Sequence, residues 1–93
     1  MRSGLELGQM KLALGLILAA GSGAWCLAEP GRTYALYLPK GGTVTVKLEP
    51  GRYRAEWFSA FTGEIVPIGV IDGPAWTSPS APDSNDWALL LQQ

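Results

Sequence analysis

The 93-residue sequence contains no histidine. That removes the commonest general base at neutral pH and the commonest neutral metal ligand. It contains one cysteine, Cys26, so no internal disulfide can form, and neither a zinc nor an iron–sulfur site can be built around a single thiolate. With no cationic neighbour or helix N-terminus to activate it, Cys26 reads as a small buried hydrophobe. Charge is sparse: 16% of residues are charged and the formal net charge is −1. The pI is about 5.2, and the basic patch that nucleic acid requires is missing, so no nucleic-acid partner is expected. Long hydrophobic runs are missing too. The apolar stretch over residues 12–20 falls well short of the roughly 20 residues of a spanning helix, so no stable membrane span is expected. No cofactor is implied either, because Gly41-Gly42 has no helix after it and reads as a turn, not a phosphate loop.

What is present is an apolar chain heavily punctuated by turn residues. Hydrophobic residues make up 47%, with 12 glycines and 7 prolines. This composition excludes intrinsic disorder and allows one domain. A chain near this size buries only about 60% of its unfolded surface, so its independent stability should be marginal and a covering partner would help it.

Residues 1–23 are set apart. The apolar run behind Arg2 and Lys11, followed by Ser22, Gly23 and Ala24, has the layout of a secretory signal and would make the protein secreted or periplasmic. Alternatively Leu5, Gln9, Leu12 and Leu16 fall on one stripe of a helix belonging to a longer protein. The fold is expected in residues 24–93.

There the pattern is of short strands with turn signals about every ten residues, which predicts an all-β fold, a small antiparallel β-sandwich of about seven to eight strands. Residues 24–28 form a short apolar strand, ended by Glu29-Pro30-Gly31. Residues 33–38 carry apolar side chains on both faces, which predicts a strand between two layers or in the middle of a sheet. Pro39-Lys40-Gly41-Gly42 reads as a hairpin turn. Residues 43–48 alternate, with Val44, Val46 and Leu48 inward and Thr43, Thr45 and Lys47 outward. After the type II turn chemistry of Glu49-Pro50-Gly51, residues 52–58 place Tyr53, Ala55 and Trp57 inward and Arg52, Arg54 and Glu56 outward. A one-residue slip would bury both arginines, so the register is well specified. Pro67 within residues 64–70 marks an edge strand or a bulge. The last strand, residues 86–91, has Trp87, Leu89 and Leu91 on one face and Ala88 and Leu90 on the other. It is expected to be central and buried on both sides.

A carbohydrate site presents aromatic rings beside carboxylates or amides. Trp25, Trp57, Trp76 and Trp87 supply rings, with Asp83, Asn85 and Asp86 close to the last of them. Trp57 and Trp87 sit at inward strand positions and read as core. Trp76, in an irregular Ser/Pro-rich segment, is the candidate contact for a glycan or a partner domain. Asp83, Asn85 and Asp86 are candidate polar contacts, Asp86 having the simpler reading of a bond to a loop amide. Arg52 and Arg54 read as a solvated face that could also meet a neighbouring domain. Glu56 and Glu64 lack the spacing of a glycosidase pair, so no catalytic residue is expected.

Several short motifs occur in a distinctive order: Cys26-Leu27-Ala28-Glu29-Pro30-Gly31, Tyr34-Ala35-Leu36-Tyr37-Leu38-Pro39 with Gly41-Gly42, Trp57-Phe58, Thr62-Gly63-Glu64, and Asp86-Trp87-Ala88-Leu89-Leu90-Leu91. In these the chain resembles the "putative collagen-binding domain" family of bacterial collagenase-like proteins. The resemblance implies a C-terminal β-sandwich that follows a (β/α)8 barrel of the apiosidase-like glycoside hydrolase type. It departs from that family at Ser59-Ala60-Phe61-Thr62-Gly63, where an Asn/Asp-Pro-Arg-Thr-Gly loop is usual, so no role of that arginine carries over. The expectation is therefore a non-catalytic accessory sandwich that packs on or assists a glycoside-hydrolase-type catalytic domain. The alternative is an independent extracellular binding module for polysaccharide or collagen.

Overall fold

The computed structural model describes residues 10–21 and 23–93; Arg2, Leu5, Gln9 and Ser22 of the signal and helix readings lie outside them. The described chain forms nine strands: β1 (Lys11–Leu12), β2 (Ile17–Ala20), β3 (Trp25–Glu29), β4 (Thr33–Leu38), β5 (Val44–Lys47), β6 (Arg52–Ser59), β7 (Ile65–Asp72), β8 (Ala75–Thr77) and β9 (Trp87–Gln92). Six strands build one sheet in the order β1-β3-β4-β9-β6-β7, and three build a second in the order β2-β5-β8. All pairings are antiparallel. The all-β sandwich expected from the sequence is the observed architecture.

The alternating pattern accounts for the packing. In β6, Tyr53, Ala55 and Trp57 turn into the core while Arg52 and Arg54 stay exposed. Cys26 and Ala28 of β3, Tyr34, Leu36 and Leu38 of β4, and Trp87, Leu89 and Leu91 of β9 join them from the large sheet. Val44 and Val46 of β5, with Leu48 just beyond it, close the core from the small sheet. Packed as it is, Cys26 has its thiol pushed up to about 11 by burial. Two phenols fix one end of the sandwich. Tyr34 and Tyr53 meet edge to face at 5.5 Å. The Tyr34 hydroxyl accepts the amides of Gly31 at 2.9 Å and Glu49 at 3.0 Å, while Tyr53 donates to the Glu49 carbonyl at 2.7 Å.

Pro67 has both predicted consequences. β7 is an edge strand, and its pairing with β6 shifts register where Ala55 faces Gly69 and Glu56 faces Pro67. Ile68 is the extra residue of that bulge.

Three expectations are corrected. First, residues 39–42 do not close a hairpin. The place beside β4 is taken by β9, with six residue pairs in register, so the chain leaves the large sheet and enters the small one as β5. Gly41 (φ 66°) and Gly42 (φ 83°) supply the bend. A long-range pairing has displaced the local one. Second, β9 is central but covered on one side only, since Ala88 and Leu90 remain half-exposed. β4 behaves alike at Ala35 and Tyr37. Third, β structure begins at Lys11, upstream of residue 24. The run read as a signal core or helical stripe forms β1, a short 3-10 turn at Leu14–Leu16, and β2. β1 pairs with β3 and β2 with β5. A short apolar run has no periodicity of its own to separate helix from strand, and here the free sheet edges decide.

Candidate interaction surface

The residues singled out in the sequence fall in three separate places. Asp83, Asn85 and Asp86 lie in the loop leading into β9, at the end of the large sheet where Trp87 faces Leu38 and Ser59. Arg52 and Arg54 lie toward the opposite end, Arg54 facing Gln92; the length of β9 puts the two ends about 17 Å apart. Trp76 is on β8 of the small sheet, opposite Val46, half-buried and packed on the core. The structure brings the three loop residues together and keeps Trp76 and the arginines apart from them.

Two of the loop carboxylates hold the fold. Asp83 Oδ1 accepts the Trp87 indole N–H at 2.8 Å and the Asn85 amide at 2.9 Å. These two bonds, the indole's first, hold the Asp83 carboxyl below the usual carboxylate range. The Tyr37 hydroxyl donates to Asp86 Oδ2 at 2.8 Å, which raises the Tyr37 phenol. The bond expected of Asp86 is therefore made by a side chain, not by a loop amide. Asn85 contributes its backbone N–H and leaves its side chain exposed. At the other end, Arg52 pairs loosely with Asp72 at 3.5 Å, both largely in solvent. Such an exposed pair contributes little to stability. Among the described residues no group of three His, Cys, Asp or Glu side chains could hold a metal ion.

The conspicuous surface lies elsewhere, on the outer face of the large sheet. The cross-strand register lines up two apolar rows there. One runs Trp25, Tyr37, Ala88, Phe58, Ile65; the other runs Leu12, Leu27, Ala35, Leu90. The Trp25 and Tyr37 rings stack at 5.5 Å with a 44° tilt. Over the small residues Ala35 and Ala88 the face dips into a groove walled by Trp25, Leu27, Tyr37, Phe58 and Leu90. A third row, Glu29, Thr33, Gln92 and Arg54, is polar and bounds the apolar rows on one side. Sequence reasoning did not assign this surface. Its signal was present in the doubly apolar β4 and β9, where it was read as burial between layers.

These features define a small antiparallel β-sandwich module with one apolar sheet face left uncovered among the described residues. The chain belongs to the family described as "Putative collagen-binding domain of a collagenase", whose sequence model matches residues 19–92. No curated protein matches it. Among solved structures it is similar to a protein titled "Glycoside hydrolase", with a TM-score of 0.81 and 15% identity over 97% of this chain and 22% of that one. A glycoside hydrolase family 5 structure from Bacteroides vulgatus ATCC 8482 gives the same TM-score and identity, over 97% of this chain and 21% of its own. At that identity the likeness establishes the fold. The chain thus spans about a fifth of the length of these two proteins.

Proposed function

We propose that this sandwich is a non-catalytic accessory domain that packs on a glycoside-hydrolase-type catalytic domain and stabilises it. The observation that carries the proposal is that the same fold recurs as about a fifth of two longer glycoside hydrolase chains. The sandwich's own chemistry agrees. It contains no histidine, and its best-placed carboxylates, Asp83 and Asp86, are engaged by Trp87 and Tyr37. A polymer-degrading partner would place the protein outside the cytoplasm, secreted or periplasmic.

The test is a comparison of the catalytic domain with and without the sandwich. Deleting the sandwich is expected to lower the melting temperature of the catalytic domain and shorten its half-life on heating, with kcat on a soluble substrate nearly unchanged. An unchanged melting temperature would defeat the proposal.

A second reading, a binding module for polysaccharide or collagen, is favoured by the exposed Trp25 ring beside Tyr37. Retention on insoluble polysaccharide or collagen that is lost in Trp25→Ala or Trp76→Ala would support it. No retention at high protein concentration would remove it.

A further inference from the structure

We infer that the two-row apolar stripe on the outer face of the large sheet is the surface through which the sandwich docks to its catalytic domain. An apolar side chain of that domain is seated in the groove over Ala35 and Ala88. The inference rests on the accessory-domain reading and adds the face, the groove and the chemistry of the occupant.

The stripe is continuous across the sheet. The first row crosses from Trp25 on β3 to Ile65 on β7 without a charged residue, and the second runs from Leu12 on β1 to Leu90 on β9 before Glu56 ends it. Scattered exposed hydrophobes are ordinary on a protein surface, whereas a contiguous band marks an interaction site. Its arrangement is that of an interface core: large aromatic and aliphatic walls, a recess floored by alanines, and a polar border of Glu29, Thr33, Gln92 and Arg54 along one side.

Area selects the occupant. The nine positions of the two rows, each covering about 4.8 Å across the strands by about 7 Å along them, give a footprint on the order of 300 Å². Doubled over two partners this is about 600 Å², half or less of what a stable complex between free molecules buries. It does reach the lower end of interfaces between domains of one chain, about 600 Å². Covalent linkage sets an effective concentration near the millimolar range, enough for so small a contact to persist. The footprint therefore fits a tethered domain and not a second copy of this sandwich. Chemistry argues against a sugar in the groove. Its walls offer only the Trp25 indole N–H and the Tyr37 hydroxyl as polar side-chain groups, and that hydroxyl already donates to Asp86.

The experiment uses the polypeptide in which the sandwich is joined to its catalytic domain, with single cysteines introduced at positions that the sandwich alone leaves open. Leu12 (63% exposed) and Trp25 (39%) lie on the stripe; Phe61 (83%) and Leu18 (56%) lie off it. The native Cys26 is fully buried and supplies no background. Maleimide labelling of Leu12→Cys and Trp25→Cys is expected to be at least tenfold slower than that of Phe61→Cys and Leu18→Cys. Labelling at equal rates overturns the inference. If Leu18→Cys alone is protected, the domain docks through the small sheet: the inference falls and the accessory reading stands. If no position is protected, both fall. Protection that disappears on dilution means a second copy covers the stripe, and also overturns it. As a second readout, Leu27→Lys is expected to split the unfolding of the joined polypeptide into two separate transitions, which Phe61→Lys does not.

Discussion

Tyr34 and Tyr53 occupy neighbouring places in the core and differ in what their hydroxyls do. Tyr34 accepts two backbone amides, those of Gly31 and Glu49, whereas Tyr53 donates to a single carbonyl. Removing the Tyr34 hydroxyl strands two donors in a poorly solvated corner; each unsatisfied group costs about 1–3 kcal/mol. Tyr34→Phe is therefore expected to destabilise the sandwich by about 2 kcal/mol or more, and Tyr53→Phe by about 1 kcal/mol, as read from urea denaturation midpoints. Cys26 and Tyr53 also set the behaviour in alkali. Burial raises the Cys26 thiol from 9.0 to about 11, and burial followed by the neighbouring Tyr34 hydroxyl raises the Tyr53 phenol. Between the unfolded and folded values the unfolded chain has released protons that the folded chain still holds. Stability is then intact below about pH 9 and falls as pH rises toward 11. Denaturation midpoints are expected to decline across that window. Cys26→Ala should be less stable at neutral pH and show a shallower decline.

At the scale of the element, the crossing from β4 to β5 depends on two adjacent glycines in different surroundings. Both have positive φ. A Cβ on Gly41 would run into the carbonyl oxygen of Asp83, whereas one on Gly42 meets nothing within 4 Å. Gly42→Ala should carry only the backbone cost of about 1–2 kcal/mol. Gly41→Ala should cost clearly more and also loosen the Asp83–Trp87 bond, seen as a change in Trp fluorescence. These crossings mark where sequence reading stopped. The inward faces of β4, β5, β6 and β9, the edge position of β7 and its bulge at Pro67 were all legible, because alternation and proline act locally. The change of sheet after β4 was not, because it depends on β9 taking the pairing site from a segment far along the chain. β1 and β2 were hidden for a related reason: an apolar run this short takes whichever form its neighbours offer. For the candidate surface, the sequence exposed the apolar outer positions of β4 and β9 and left open whether anything covers them. It offered Asp83, Asn85 and Asp86 as candidate polar contacts for a ligand or partner, with a structural bond as the simpler reading of Asp86; in the fold Asp83 bonds Trp87 and Asp86 accepts from Tyr37.

At the scale of the whole molecule, the two sheets are tied together by the order in which the chain visits them. It passes from β1 to β2, back to β3 and β4, out to β5, back to β6 and β7, out to β8, and returns as β9. Few neighbours in space are neighbours in sequence. Refolding from denaturant is accordingly expected in the millisecond-to-second range typical of sandwiches rich in distant pairings, as measured by stopped-flow Trp fluorescence. A microsecond phase carrying the full amplitude would contradict it.

The place of β9 between β4 and β6 has a consequence for biosynthesis. Both strands that flank it leave the ribosome well before it does, and neither is complete until it arrives. The large sheet cannot assemble strand by strand in the order of synthesis; it waits with its middle open. During that interval β4 and β6 present unpaired edges, the exposure from which misassembly between chains begins. A nascent chain stalled before Trp87 is thus expected to be protease-sensitive and prone to aggregation, and its solubility should return when the final strand emerges.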